Sequence, residues 1–315
     1  MNFGDSIKKE ILSRFIKDDC CRKAFLAGLI RGTGTLIFND GDYSLEFFLK
    51  SEDLAFTVTD YLKSLFDYDV NEVLISEDRL NKKDRFALSV NGDRAVEILK
   101  ELEILKEVDG EVIVNLKFYG ELTKKECCLK AFIRGLFVSC GACTVPSKSY
   151  SGNTRYHLEI SFSHKEPADD TASVLAEHGV MTKVINRKEG YITYIKSLDE
   201  IKNFTAFLPA PVSVLKLMDL IVENDFLNKI NRQKNCDLGN LTRQVEASAK
   251  QIDAINKIKN VKGLQSLKKD LLQTANARLE FPDDTLPELA ERLNVTKSCL
   301  HHRLRKLVAI ASEID

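Results

Sequence analysis

The chain has 315 residues, 44% hydrophobic and 30% charged, with only 21 glycines and prolines together; that is enough for about two domains, each with its own core. Such a composition excludes disordered, fibrous and small disulfide-stapled proteins. With 46 Lys and Arg against 47 Asp and Glu the formal charge is −1, so no global basic field marks a nucleic-acid binder and any basic surface is local.

At the amino end, Asp5, Lys8, Lys9, Glu10 and Arg14 recur at helical intervals and break any signal-peptide apolar region. No apolar run approaches the roughly 20 residues of a membrane span. A cytoplasmic protein is expected, with no membrane partner and no small-molecule substrate.

Residues 17–32 read as a helix, 35–38 and 43–49 as strands around the turn 39–42, and 52–66 as a second helix. A hairpin over 70–75 and 85–90 and a helix over 92–102 complete the order αββαββα. The same order returns in helix 124–139, strands 142–145 and 156–162, helix 166–178, hairpin 183–195 and helix 198–207. The return is visible in the residues: Cys20-Cys21-Arg22-Lys23-Ala24-Phe25-Leu26-Ala27-Gly28-Leu29 reappears as Cys127-Cys128-Leu129-Lys130-Ala131-Phe132-Ile133-Arg134-Gly135-Leu136. A repeat this long is a duplicated half-domain, here about 1–105 and 106–207. The fold class is therefore α+β, a duplicated αββαββα unit forming one saddle-like domain over 1–207.

Each repeat helix spaces small residues four apart, Ala24, Gly28 and Gly32 in one and Ala131, Gly135 and Ser139 in the other. Glycine within a helix costs about 1 kcal/mol relative to Ala, so the pair predicts close approach of the two helix backbones. A phosphate-cradling reading of Gly28, Gly32 and Gly34 fails, because the spacing is neither GxGxxG nor a P-loop and no strand precedes it. The paired cysteines read as reduced, buried thiols. Cys140 and Cys143 form a CxxC with no second CxxC or His pair, so no metal is expected there.

The stretch Leu26-Ala27-Gly28-Leu29-Ile30-Arg31-Gly32-Thr33-Gly34 resembles the motif of the LAGLIDADG homing endonucleases, and Ile133-Arg134-Gly135-Leu136-Phe137-Val138-Ser139-Cys140-Gly141 resembles its second copy. In that family the eighth position is an acid that binds the divalent metal of strand cleavage. Here the vestigial positions hold Thr33 and Cys140. A neutral hydroxyl and a soft thiol are poor ligands for Mg²⁺, so the resemblance implies the scaffold without catalysis and without cofactor. An active endonuclease would need Asp40, Asp42 or another nearby acid in their place.

Beyond Phe207 the strand signals stop. Leu208-Pro209-Ala210-Pro211 interrupts helix, giving a linker over 208–222 and an all-α domain over 223–315. That domain holds sixteen Lys and Arg against thirteen Asp and Glu, about +3, which leaves about −4 on the preceding portion. Leu238, Leu241, Val245, Ile252, Ile255 and Ile258 mark one amphipathic helix, and Leu264, Leu267, Leu271, Leu272 and Leu279 another.

Thr285-Leu286-Pro287-Glu288 is a capping box. It opens a helix with Leu286, Leu289, Ala290 and Leu293 on one face, followed by a turn at Asn294-Val295-Thr296 and a second helix whose Leu300, Leu304, Leu307 and Val308 face inward. Two short helices around such a turn, at about 285–309, form a helix-turn-helix. Lys297, Ser298, His301 and His302 are placed to meet base edges of double-stranded DNA, and Arg303, Arg305 and Lys306 to meet phosphates. Consecutive histidines diverge by about 100° on a helix, which makes His301 and His302 a poor metal chelate.

A degenerate LAGLIDADG domain followed by a helix-turn-helix resembles the bacterial WhiA family. The likeness extends through Phe3-Gly4-Asp5-Ser6-Ile7-Lys8-Lys9-Glu10-Ile11, Asn235-Cys236-Asp237-Leu238-Gly239-Asn240-Leu241, Ala249-Lys250-Gln251-Ile252 and Ser298-Cys299-Leu300-His301-His302-Arg303-Leu304-Arg305-Lys306-Leu307. The chain departs from that family in a shorter turn before the second helix and in His301, where the family has Asn. The resemblance implies a noncatalytic, sequence-specific transcription regulator of sporulation, cell division and chromosome segregation. The acidic amino-terminal domain leaves room for docking a protein partner of the transcription machinery.

Overall fold

Two helices that share a sequence also share an interface. In a computed structural model describing residues 2–39, 42–70, 74–77, 84–118, 120–146, 156–188 and 190–314, the repeat helices α2 (Asp19–Thr33) and α5 (Glu126–Cys140) pack against each other along their lengths. A Cβ built on Gly28 would fall 2.1 Å from the carbonyl oxygen of Phe132, and one built on Gly135 would fall 2.1 Å from that of Phe25. The two clashes are mirror copies of each other, displaced by the repeat. Only hydrogen at both positions lets the backbones touch.

Around this seam each half repeats the expected order. After α1 (Phe3–Leu12) and α2 come β1 (Gly34–Asn39), β2 (Asp42–Leu49), α3 (Glu52–Phe66), β3 (Leu74–Glu77), β4 (Asp84–Asn91) and α4 (Asp93–Glu101). After α5 come β7 (Gly141–Thr144), β8 (His157–Phe162), α6 (Lys165–Glu177), β9 (Lys183–Arg187), β10 (Gly190–Ile195) and α7 (Leu198–Phe207). The two antiparallel sheets have matching strand orders, β1-β2-β4-β3 and β7-β8-β10-β9. Register sets the buried faces: Leu45 opposes Val90, Phe47 opposes Leu88 and Leu158 opposes Ile195, all buried. Such same-face apolar pairs are the unit of sheet stability.

One hairpin lies outside the repeat. β5 (Leu105–Val108) and β6 (Glu111–Val114) pair across Asp109 and Gly110, at φ +54° and +84°, the left-handed pair of a tight hairpin turn. The sequence reading places the boundary between halves inside this hairpin and assigns it no strands. Residues 40 and 41 of the expected turn at 39–42 and the loop joining β3 to β4 lie outside the described residues, as does the side chain of Asp42.

The expected linker over 208–222 is corrected. The interruption spans only residues 208–210, and from Pro211 the chain is helical without a break to Val261, as α8. Proline at a first helical position loses no hydrogen bond and presets φ. The start is capped from far away: the Glu10 carboxylate accepts from Val212 N–H at 2.7 Å, Ser213 N–H at 2.9 Å and the Ser213 hydroxyl at 2.7 Å.

The chain forms two compact units, Met1–Asn224 and Asp225–Asp315. In the second, the end of α8 is joined by α9 (Lys269–Glu280), α10 (Leu286–Arg292) and α11 (Lys297–Ser312). Its core is Ile255, Ile258, Leu271, Ala275, Leu289, Ala290, Leu300, Leu304, Leu307 and Ala311. The expected stripe on α8 is only half a core stripe, since Ile255 and Ile258 are buried whereas Leu238, Leu241 and Val245 are exposed.

Candidate nucleic-acid interface

The segment entering the helix-turn-helix is fixed before it begins. Arg278, 2% exposed, donates from Nη1 to the Asp284 carbonyl at 2.8 Å. Arg292 pairs with the Asp284 carboxylate and lies 3.9 Å over the Phe281 ring. Helix α10 then opens with the predicted box. Thr285 Oγ1 accepts from Glu288 N–H at 3.4 Å, and the Glu288 carboxylate accepts from Thr285 N–H at 2.7 Å. The bond to Thr285 N–H holds the Glu288 carboxyl below its ordinary pKa.

The turn out of α10 carries two backbone bonds, Val295 N–H to Ala290 O and Asn294 N–H to Glu291 O, both 3.0 Å, with Asn294 at φ +51°. This is a Schellman motif, which satisfies the last carbonyls of a helix; Asn is one of the few residues that tolerates the left-handed conformation. Thr296 then caps α11, its Oγ1 accepting from Cys299 N–H at 3.2 Å.

On α11, Leu300, Leu304 and Leu307 are buried and Val308 is half-buried. Lys297, Ser298, His301, His302, Arg305 and Lys306 are all exposed, and at about 100° per residue they cover roughly half of the helix circumference. Among the described residues none of these six has an acidic partner within 4.0 Å. The surface is therefore a continuous set of donors with no carboxylate on it.

Arg303 does not belong to this set. Its side chain is only 18% exposed and pairs with the largely exposed Asp270 of α9 at 3.6 Å, which sets it apart from the six free donors. Its helical angle lies about 60° beyond Lys306, close enough to the exposed arc for sequence to group it there.

The motif helices end differently from a metal site. Thr33 Oγ1 donates to the Phe48 carbonyl at 3.0 Å, and the Cys140 thiol donates to the Leu136 carbonyl at 3.2 Å. Burial pushes the Cys140 thiol up to about 11. Beside it stands Lys8, whose pKa is lowered to about 8 by burial first and by Lys50 second. The adjoining cleft is lined by Arg31, Gly32, Cys140, Ser161, Ser163 and Lys188 among others, with no carboxylate among the described residues of its lining. A hydroxyl, a neutral thiol and ammonium groups do not fit a hard divalent cation, so these residues do not hold the metal that the motif implies.

The eight cysteines are all free. Reading the paired ones as uniformly buried is corrected: Cys21 and Cys128 are buried, Cys20 is half-buried and Cys127 is exposed. Sequence reasoning also missed Arg31, whose Nη2 donates to the carbonyls of Glu103, Asn115 and Lys117 at 3.0, 3.2 and 3.3 Å and so anchors the extra hairpin. No local pattern announces such a bond, since its acceptors lie more than 70 residues away.

The fold and the site together define a helix-turn-helix protein built on a doubled LAGLIDADG-like domain. Three family models match in succession: the WhiA N-terminal LAGLIDADG-like domain over 19–105, the WhiA LAGLIDADG-like domain over 129–227, and the WhiA C-terminal HTH domain over 230–311. The chain belongs to the WhiA family. It is 33% identical to the probable cell division protein WhiA of Bacillus subtilis (strain 168), over 100% of this chain and 97% of that one. It is 30% identical to the protein of the same description from Caldicellulosiruptor saccharolyticus, over 100% and 96%. The crystal structure of full-length WhiA from Thermatoga maritima shares the fold, with a TM-score of 0.57 at 22% identity over 100% of this chain and 99% of that one.

Proposed function

We propose that this chain is a sequence-specific, double-stranded-DNA-binding transcription regulator that acts in cell division, chromosome segregation or sporulation and does not cleave its target. The observation that carries this reading is the face of α11, where six exposed donors without an acid stand on a helix-turn-helix whose turn and caps are all hydrogen-bonded. Lys297, Ser298, His301 and His302 lie in the first turns, where a recognition helix meets base edges, and Arg305 and Lys306 lie further along, suited to phosphates. Family membership adds the cell-division role named for the Bacillus relative. A noncatalytic first unit is supported by the ligand chemistry at Thr33 and Cys140. The cytoplasm, on the nucleoid, is the corresponding location. The net acidity of the first 222 residues supports docking a component of the transcription machinery there.

The test is binding of genomic fragments with and without Mg²⁺, read on native gels for shifts and on denaturing gels for strand breaks. Selective shifts of intact DNA are expected. Arg305→Ala and Lys306→Ala each lower affinity for all sequences and reduce the salt slope by about 1. Ser298→Ala or His302→Ala changes the preferred site, with about 1–3 kcal/mol at each base contact. Mg²⁺-dependent breaks at a fixed site would refute the noncatalytic reading, and an unaltered site preference would remove those residues from the reading face.

A further inference from the structure

Both repeat helices start with paired cysteines, and the symmetry that joins the helices also joins the pairs. Cys20 and Cys21 are the second and third residues of α2, and Cys127 and Cys128 hold the same places in α5. Cys21 Sγ lies 3.8 Å from Cys128 Sγ, its own repeat partner 107 residues away, and Cys127 Sγ lies 4.0 Å from Cys128 Sγ. The thiols of Cys20, Cys21 and Cys128 all lie within 4.8 Å of one another. Adjacent residues in mid-helix send their side chains apart, but these pairs flank the seam between two helices, so three thiols from two elements gather within 4.8 Å and the fourth, Cys127, stands 4.0 Å from one of them.

The spacing is chemically specific. Zn–S bonds of about 2.3 Å place the sulfurs of a tetrahedral site about 3.8 Å apart. Two of the sulfur separations already have that value to within 0.2 Å. Neither Asp18 nor Lys125 caps its helix through a side chain, and the positive end of a helix dipole favours negative charge within the first turn, where all four cysteines stand. Four soft thiolates select Zn²⁺ over hard Mg²⁺ or Ca²⁺. A bound dication displaces the thiol protons to solvent as each metal–sulfur bond forms. The exposed Cys127 gives the ion a way in.

We propose that Cys20, Cys21, Cys127 and Cys128 form a four-thiolate Zn²⁺ site that clamps the two repeats together at the start of their shared helix seam. The site is separate from the motif ends at Thr33 and Cys140, and it serves structure rather than cleavage.

The test is titration of full-length, reduced, metal-free protein with Co²⁺. One equivalent is expected to produce thiolate-to-cobalt charge transfer and the strong visible bands of a tetrahedral site, both abolished by one equivalent of Zn²⁺. Cys21→Ser and Cys128→Ser each lose the charge transfer, whereas Cys236→Ser, Cys299→Ser and the double change Cys140→Ser, Cys143→Ser keep it. Because the wild-type titration needs no variant, misfolding of a serine variant does not blunt it. Absence of charge transfer in the wild type, its survival in both Cys21→Ser and Cys128→Ser, or a Cys21–Cys128 disulfide in place of metal binding would overturn the proposal.

Discussion

Exchanging a mid-helix glycine for alanine ordinarily stabilises a protein by about 1 kcal/mol, and this chain offers the same exchange in opposite settings. At Gly28 the new Cβ falls 2.9 Å from the Phe132 carbonyl carbon and 2.1 Å from its oxygen, the latter more than 1 Å short of the 3.4 Å at which ordinary contact begins. The obstacle is backbone, so it cannot rotate away, and α2 and α5 must separate. Overpacking of a tight core costs about 1–3 kcal/mol and sometimes more. With backbone as the obstacle the upper end applies, leaving a net loss of about 2 kcal/mol for Gly28→Ala. Gly135→Ala meets the Phe25 carbonyl at the same 2.1 Å and costs the same. The double variant costs less than the sum, because one separation relieves both overlaps. Gly32→Ala is milder, since its obstacles are the side-chain ends of Ser139 and Cys140. Gly239→Ala in α8 meets nothing within 4 Å and stabilises. Calorimetric melting resolves these cases, because 1 kcal/mol moves the transition of a unit this size by about 2–4 °C. A Gly28→Ala variant that melts at or above the wild-type temperature would refute the backbone-contact reasoning.

Three further outcomes follow from individual side chains. Thr296→Ala removes the cap of α11 and lowers the stability of the second unit by about 1 kcal/mol, whereas Thr296→Ser retains most of it; denaturant unfolding followed by circular dichroism distinguishes them. Arg278→Met leaves the Asp284 carbonyl without its buried donor, costs about 1–3 kcal/mol by the same assay, and weakens DNA binding through a loosened start of α10. Lys8 carries a proton less readily when folded, at about 8 against 10.5, so its burial destabilises the fold below pH 8 and the penalty disappears as pH rises to 10.5. Lys8→Met is therefore more stable than wild type at pH 7, by up to about 3 kcal/mol, and loses that advantage by pH 10.5; a difference that stays constant with pH would show that Lys8 is not the source.

What could be read from sequence was set by local periodicity. Helices α3 and α7 fall at the predicted 52–66 and 198–207, because amphipathic spacing over ten or more residues is a strong signal. The β5–β6 hairpin was missed since its strands are mostly exposed and alternate weakly, although Asp109-Gly110 is itself a hairpin signature. Prolines 209 and 211 read as a linker because proline disfavours helix on its amino side; only the remote Glu10 cap shows that Pro211 begins α8. Leu238, Leu241 and Val245 have helical spacing, but spacing alone does not report whether a partner covers them. Five of the six exposed α11 donors lie within one stretch of residues 297–305, so their grouping was legible, whereas the pairing of Arg303 depends on Asp270, two elements away.

The LAGLIDADG-like helices place two demands on sequence that are physically independent. Contact between backbones needs Gly28 and Gly135, since any larger residue meets a carbonyl, and this demand is imposed by folding itself. Carboxylates at the helix ends are needed only for a metal; folding gains nothing from two like charges at the close of a helix pair, where a hydroxyl or thiol can instead donate to a carbonyl. Thr33 and Cys140 do so. With a thiol in place of an acid, the buried cation Lys8 can stand beside Cys140, and its field opposes a divalent ion. Interhelical distance thus holds the glycines in place, and nothing comparable in the fold requires the acids. In the second unit the same logic runs the other way: the core leucines of α11 are set by packing, its exposed donors are not, and a continuous acid-free face there is the feature that folding alone does not explain.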